Sequence, residues 1–96
     1  MTHLLFDKSA AFVESASRYL AGGVSSNFRL GMLPGPLAFT KAEGAMLYDV
    51  DGNRLIDYYL GMGPMILGHN PAAVREQVSN SMDQGILFGG QSQLEV

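Results

Sequence analysis

Glycine and proline restrict this chain to short pieces of regular structure. The sequence has 12 Gly and 4 Pro among 96 residues, and most of them fall in two segments, 22–36 and 61–68. Glycine adopts backbone conformations that other residues avoid, and proline lacks the N–H that helices and sheets use. Neither segment is therefore expected to form a continuous helix or strand. Regular elements are predicted outside these segments, at 9–20, 37–59 and 70–85, and a further helix is expected to begin near Ser92.

The first window predicts an amphipathic helix over residues 9–20. Its apolar residues recur at the spacing of one helical face and are Phe12, Ala16, Tyr19 and Leu20. Asp7 or Ser9 is available to cap the first turn with a side-chain oxygen. Gly22-Gly23 is expected to end the helix, because glycine accepts the left-handed conformation that follows many helices. An irregular loop is predicted from there to Pro36.

The middle window predicts a small antiparallel meander. Residues 37–50 form two short extended segments, and residues 54–59 form a third. The run Asp51-Gly52-Asn53 between them is a strong reverse-turn signal. It also resembles the start of a calcium loop superficially, but its glycine comes too early and the required glutamate is missing. A hairpin turn is favoured, and no metal site is predicted.

The last window predicts a second helix, and with it an α/β fold. Asn70 is expected to cap this helix, with Pro71 in its first turn and Gly85 beyond its end. Its apolar stripe, expected to be buried, consists of Val74, Val78 and Met82. Further on, Ser92 and Glu95 have the spacing of a capping box and begin another helix.

Charge and cysteine content exclude several classes of function. Charged residues make up only 16% of the chain, the net charge is −3, and basic residues do not cluster. Binding to nucleic acid or to an anionic membrane surface is therefore disfavoured. The absence of Cys excludes disulfides, thiolate zinc sites and a cysteine nucleophile, and it is compatible with a reducing cytoplasm. The longest apolar run, at 60–68, is too short and too interrupted to span a membrane.

Arg29 is the residue whose chemistry stands out when the residues are considered alone. It is the only charged residue besides Arg18 in the range 15–40, and Phe28 and Leu30 flank it. A guanidinium among apolar neighbours suits a planar carboxylate partner. Three interpretations remain open at this point: a substrate carboxylate, an internal salt bridge, or a position on the surface.

The other candidate features favour structural roles. The glycines of 61–68 invite comparison with a phosphate-binding loop, but Ile66 stands where a dinucleotide fingerprint needs its third glycine. Close backbone packing is the favoured role of these glycines. His69 has no partner at metal-ligand spacing, so a packed or hydrogen-bonding histidine is favoured. No nucleophile with an adjacent base is recognisable.

Several motifs follow one another along the chain with consistent spacing. They are Gly22-Gly23-Val24-Ser25-Ser26-x-x-Arg29, Asp49-Val50-Asp51-Gly52-Asn53-Arg54, and Gly63-Pro64-Met65-Ile66-Leu67-Gly68-His69, with Phe88-Gly89 beyond them. In this order the chain resembles the N-terminal segment of class III pyridoxal-phosphate-dependent aminotransferases, and most closely the glutamate-1-semialdehyde aminomutases. The resemblance implies the N-terminal part of a fold type I transferase: helix, irregular loop, small antiparallel meander, and a helix leading into the large domain.

The resemblance also assigns roles to individual residues. Ser26 and Arg29 match residues that bind the substrate carboxylate, and Met62 matches a residue, usually aromatic, that lines the substrate pocket. Phe88 and Gly89 match a segment near the partner subunit's cofactor in a homodimer. The implied cofactor is pyridoxal 5′-phosphate, and the implied substrate is a small amino acid or keto acid. The implied division places part of the small domain at 1–60 and an active-site border with the first helix toward the large domain at 61–96.

The resemblance leaves the catalytic lysine outside this sequence. Neither Lys8 nor Lys41 matches the lysine with which these enzymes form a Schiff base, so no catalytic residue is assigned, and the 96 residues alone are expected to be inactive. The complete enzyme is expected to move an amino group between an amino acid and a keto acid or semialdehyde. The alternative is a free-standing binding or interaction module without catalysis.

Overall fold

The computed structural model describes residues 3–96, whose elements follow the predicted order. Helix α1 spans Asp7–Ala16, and helix α2 spans Ala72–Met82. Three strands lie between them: β1 at Phe39–Glu43, β2 at Met46–Asp49 and β3 at Arg54–Ile56. Short 3₁₀ turns occupy Ala21–Gly23, Asn27–Gly31 and Gln93–Glu95. The α/β fold class is confirmed.

The three strands form the predicted antiparallel meander, in the order β1-β2-β3. The register between β1 and β2 shifts after Phe39, so that Lys41 pairs with Tyr48. The Lys41 ammonium lies 4.4 Å from the centre of the Tyr48 ring, a cation–π contact across the strands. Strand β3 ends at Ile56 rather than at residue 59, because the carboxylate of Asp57 accepts the N–H groups of Tyr59 and Leu60 and turns the chain.

The turn between β2 and β3 is held by its own side chains, which confirms the predicted hairpin turn. The Asp49 carboxylate accepts the backbone N–H of Asn53 and the Asn53 side-chain amide, each at 2.7 Å. Gly52 has a φ of 89°, in the left-handed region that glycine favours. Asp49 and Asn53 are both buried. A polar cluster therefore lies where most small domains place apolar side chains.

This turn also anchors helix α1, which corrects the prediction that Asp7 or Ser9 caps the helix. No side chain of the helix caps its own N-terminus. The Asp51 carboxylate, more than 40 residues away, accepts the N–H of Lys8 at 2.7 Å and that of Ser9 at 2.9 Å. Burial by itself would raise the pKa of Asp51, but these hydrogen bonds and the charge of Lys8 outweigh it and hold the pKa below 3.8.

Helix α1 ends at Ala16, so the prediction that it continues to residue 20 was wrong. The hydroxyl of Ser17 donates to the Glu14 carbonyl at 2.6 Å and offers that carbonyl an alternative to the helical pattern. The N–H groups of Tyr19 and Leu20 both donate to the Ala16 carbonyl, which tightens the chain into a turn. Gly23, with φ 74°, then lies so close to α1 that a Cβ there would be 2.5 Å from the Val13 carbonyl oxygen.

The segment 57–69 leaves the sheet at Asp57 and returns to it at His69. Gly44 and His69 form an antiparallel bridge through two backbone hydrogen bonds of 3.0 and 2.7 Å. Nε2 of His69 lies 2.6 Å from Oδ2 of Asp57, whose side chain is only 4% exposed. The hydrogen-bonding role predicted for His69 is thus confirmed. This bond is the largest influence lowering the pKa of Asp57; burial opposes it, and the N–H groups of Leu60 and Tyr59 add to it.

Helix α2 begins at Ala72 without the predicted Asn70 cap. The chain must reverse after the His69 bridge, and Asn70 does so with a φ of 55°, while Pro71 takes the N-cap position with no side-chain cap bond. The predicted burial of the apolar stripe was also wrong: Val74, Val78 and Met82 are 46%, 52% and 56% exposed. Further on, the capping box of Ser92 and Glu95 is confirmed, although it opens only a 3₁₀ turn.

The buried side chains among the residues described are polar rather than apolar. Within 3–96 no large apolar side chain is buried, whereas Ser9, Asp49, Asn53 and Asp57 are. All buried side-chain polar atoms of this range have a hydrogen-bond partner. No helix between residues 3 and 96 has the length and apolar character needed to cross a bilayer.

Replacing Asp51 is expected to free the first turn of helix α1. In the Asp51→Ala variant the N–H groups of Lys8 and Ser9 lose their acceptor, so their hydrogen exchange should accelerate by roughly tenfold, as for the loss of a helix cap. Asp7→Ala is the matched control, because it removes a charge from the same helix end without removing these hydrogen bonds. Equal acceleration in both variants would show that only the charge matters.

The Asp57 carboxylate is expected to make the hydrogen bonds at the start of segment 57–69 weaken in acid. Its pKa is lower in the folded chain than 3.8, so its stabilisation is present above that pH and is lost as the pH falls through the folded-state value. Exchange protection of the Tyr59 and Leu60 amides should therefore fall in acid. The Asp57→Asn variant should lack this acid-dependent fall and should show roughly tenfold lower protection at neutral pH.

The exposed carboxyl of Asp83, just after α2, provides the control for this experiment. Asp83→Asn should leave both the protection of Tyr59 and Leu60 and its dependence on pH unchanged. An unaltered acid response in Asp57→Asn would assign the effect to another group.

Candidate functional site

Segment 57–69 contains an unusual left-handed turn around Met62. Four consecutive residues, 60–63, have positive φ values of 54°, 61°, 74° and 106°. The N–H of Met62 donates to the Tyr59 carbonyl and that of Gly63 donates to the Leu60 carbonyl, each at 3.1 Å. Leucine and methionine rarely adopt this conformation, and such strain concentrates at functional sites. The turn leaves the Met62 side chain 71% exposed.

One glycine of this segment, Gly68, allows the backbone to pack closely against Gly44. A Cβ on Gly68 would lie 3.0 Å from the Gly44 carbonyl oxygen, so the predicted close backbone approach is confirmed there. Gly63, by contrast, has open space around it. Its requirement for glycine comes from its φ of 106° instead.

Arg29 lies on the surface of the 3₁₀ turn Asn27–Gly31, which Ser26 precedes as the N-cap residue. Its Nη1 donates to the Ser25 hydroxyl at 2.7 Å. Within residues 3–96 the structure contains no salt bridge to Arg29, so the internal ion pair considered from the sequence is not formed there. The hydrogen bond to Ser25 uses one nitrogen of the guanidinium. The substrate-binding roles of Ser26 and Arg29 stay predictions.

An aromatic stack joins the segment that carries Arg29, residues 24–36, to the segment that carries Met62, residues 57–69. The rings of Phe28 and Tyr59 are nearly parallel, at 10°, with their centres 6.2 Å apart. Phe28 precedes Arg29 directly, and Tyr59 lies three residues before Met62. The first glycine-rich segment, 22–36, therefore contacts the segment 57–69, two residues before the second glycine-rich stretch begins. Sequence reasoning missed this contact, because the two rings are 31 positions apart and belong to no shared pattern.

Phe88 and Gly89 lie in a different environment, beside the end of helix α2. A Cβ on Gly85 would be 3.1 Å from the Phe88 ring, so the chain folds back tightly there. Phe88 also lines a cavity of about 270 Å³, together with Gln84 and Leu94. The role of Phe88 and Gly89 near a partner subunit's cofactor stays a prediction.

A larger cavity, of about 360 Å³, lies between helix α1 and the stretch Pro34–Leu37. Its walls are largely apolar, with Phe6 and Val13 among them, and Glu14 is the one charged residue. Neither Arg29 nor Met62 lines it. No basic side chain is among its lining residues, and it is not part of the candidate site.

The lysines of the chain do not have the environment that a Schiff base requires. A reactive lysine is normally desolvated or placed beside groups that lower its pKa. Lys8 is exposed in the first turn of α1, and Lys41 is exposed with its ammonium over the Tyr48 ring. The lysines described thus do not fit pyridoxal phosphate as a covalent partner.

Comparison with known proteins connects this geometry to a family. The model of the class-III aminotransferase family matches residues 30–93. The glutamate-1-semialdehyde 2,1-aminomutase of Saccharolobus islandicus (strain L.S.2.15 / Lassen #1) is 43% identical over 81 residues, which are 84% of this chain and 19% of that protein. The chain thus spans about a fifth of the length of the curated relatives it matches.

Solved structures show the same similarity in three dimensions. The β-phenylalanine aminotransferase of Variovorax paradoxus superposes with a TM-score of 0.80 at 32% identity, over 93% of this chain and 20% of that one. A transaminase with pyridoxal phosphate bound superposes with a TM-score of 0.84 at 28% identity, over 97% of this chain and 22% of that one. The predicted family is therefore confirmed: the chain belongs to the class-III aminotransferases.

Proposed function

We propose that this chain supplies the substrate-carboxylate segment of a pyridoxal-phosphate-dependent aminotransferase or aminomutase. The complete protein would move an amino group between an amino acid and a keto acid or semialdehyde. The observation that carries the proposal is the Arg29 guanidinium, exposed and anchored by Ser25, on a segment that contacts the Met62 segment through the Phe28–Tyr59 stack. Membership of the class-III family supplies the reaction class.

Arg29 would bind and orient the carboxylate of the substrate. A guanidinium presents a planar fork of N–H donors that matches the two oxygens of a carboxylate. The hydrogen bond from Nη1 to Ser25 restricts the side chain before the substrate arrives, which reduces the entropy lost on binding. Ser26, directly before the 3₁₀ turn, would add a hydroxyl donor from the same segment.

Met62 would form a flexible part of the pocket wall. Methionine is unbranched and polarizable, so it adapts to side chains of different shape. The left-handed turn at 60–63 keeps this side chain exposed instead of packing it against the sheet. Substrate side chains would therefore be selected beside Met62, while the carboxylate is held by Arg29.

The cofactor's chemistry would come from outside the residues described. Pyridoxal phosphate, when bound, supplies the electron sink for amino-group transfer. We assign neither Lys8 nor Lys41 to it, and the 96 residues alone should not catalyse transfer. Phe88 and Gly89 would lie near the cofactor of a partner subunit in a cytoplasmic homodimer. A free-standing binding module is the second candidate, which the exposed apolar surface of the chain would suit.

Replacing Arg29 tests the proposed role directly. In the holoenzyme that contains this sequence, Arg29→Ala should raise KM for a carboxylate-bearing amino donor at a cost of about 2–4 kcal/mol, as for loss of one partner of a charge pair. Arg18→Ala is the control, because it removes another positive charge, from the turn that follows helix α1. Steady-state kinetics with several donors provide the measurement, and unchanged kinetics with every carboxylate donor would refute the role.

Replacing Met62 tests the proposed pocket wall. Met62→Phe should change the ranking of amino donors by kcat/KM, with several-fold shifts, because a rigid ring replaces a flexible chain. Ile66→Phe is the matched control, since Ile66 is exposed in the same segment but lies outside the left-handed turn. An identical substrate profile in Met62→Phe and the unmodified protein would place Met62 outside the pocket.

A further inference from the structure

The segment that carries Arg29 has few bonds to the rest of the chain. Among residues 3–96, the hydrogen bonds made by residues 24–36 join members of that segment to one another, as in Arg29 to Ser26 and Met32 to Arg29. The 3₁₀ turn Ala21–Gly23 precedes this segment, and the 3₁₀ turn Asn27–Gly31 lies within it. Its position is therefore decided by side-chain packing, and the stack of Phe28 on Tyr59 is the aromatic contact that it makes outside itself.

Tyr59, in contrast, is fixed to the sheet through its backbone. Its N–H donates to Oδ1 of Asp57 at 2.8 Å, and the Leu60 N–H donates to the same oxygen at 2.9 Å. Asp57 is itself held by His69 at Oδ2 and by its own N–H, which donates to the Ala45 carbonyl at 2.8 Å. The backbone of Tyr59 is thus determined by buried or half-buried bonds at the edge of the meander.

We infer that Tyr59 is a positioning residue for Arg29 and acts through the ring of Phe28. The Asp57–His69 pair fixes the backbone of Tyr59, the Tyr59 ring places Phe28, and Phe28 sets the position of the next residue, Arg29. Tyr59 is then a determinant of specificity for carboxylate-bearing substrates without touching them. This inference rests on the proposed function of Arg29. It predicts that the ring of Tyr59 is required, whereas its hydroxyl is not.

The first test compares three tyrosine variants of the holoenzyme. Tyr59→Ala should raise KM for a carboxylate-bearing amino donor by about two- to tenfold, the range expected for loss of one aromatic stack. It should leave KM for a primary amine without a carboxylate unchanged. Tyr59→Phe should behave like the unmodified protein. Tyr58→Ala is the matched control, because Tyr58 is the adjacent tyrosine, is 89% exposed and is not part of the stack.

A second measurement tests the position of the Arg29 segment without using activity. Hydrogen exchange at the Arg29 and Met32 amides, which bond within the segment, should accelerate in Tyr59→Ala and in Phe28→Ala, but not in Tyr59→Phe or Tyr58→Ala. The double variant Tyr59→Ala with Phe28→Ala should be no worse than either single variant, because both remove the same contact. Additive effects, or unchanged exchange in Tyr59→Ala, would overturn the inference.

The two tests separate this inference from the proposed function. If Arg29→Ala does not affect carboxylate donors but Tyr59→Ala still accelerates exchange, the proposed role of Arg29 fails while the contact retains its structural effect. If Arg29→Ala raises KM and Tyr59→Ala changes neither KM nor exchange, the positioning inference fails alone. Equal losses with the carboxylate donor and the primary amine would also overturn it, since they would indicate general damage to the active site.

Discussion

The hydrogen bonds of the Asp51 carboxylate with helix α1 connect the parts of the chain that are distant in sequence. Lys8 and Ser9 direct their N–H groups at a turn more than 40 residues away, and Asn53 of the same turn exchanges two hydrogen bonds with Leu5. A helix N-terminus carries unpaired donors and a partial positive charge, so a carboxylate satisfies both at once. The first helix is therefore attached to the meander by polar contacts, in a chain that buries no large apolar side chain among residues 3–96.

A second polar contact attaches the candidate site to the meander. Asp57 and His69 close the segment 57–69 at its base, and the Gly44–His69 bridge joins that base to the sheet. The strained turn at 60–63 can persist because its two ends are fixed in this way. The candidate site thus combines the flexible side chain type of Met62 with a backbone segment, 57–69, whose two ends are joined by hydrogen bonds. Phe28, which directly precedes Arg29, contacts this region through its stack on Tyr59.

Much of the fold could be predicted from local patterns. The meander and its Asp51-Gly52-Asn53 turn follow from turn chemistry, and the capping box at Ser92 follows from spacing. The errors in the predicted helix caps occurred where a distant residue competes with a local one. Asp7, Ser9 and Asn70 are all good capping residues by type. The N-terminus of α1 is nevertheless capped by the distant Asp51. Asn70, which follows the His69 bridge, adopts a left-handed conformation instead of capping α2. The exposed stripe of α2 shows that amphipathic periodicity predicts a face but not what covers it.

The sequence by itself determined the chemistry available to this protein and the family to which it belongs. Its glycines and prolines limit the elements to short pieces, its lack of Cys and of basic clusters excludes whole classes of site, and its ordered motifs identify a class-III aminotransferase. Only the tertiary structure decided which residues meet. The pairs Asp51 with α1, Asp57 with His69, and Phe28 with Tyr59 join positions 12 to 43 residues apart. No local periodicity encodes such contacts, because they depend on the tertiary path of the whole backbone.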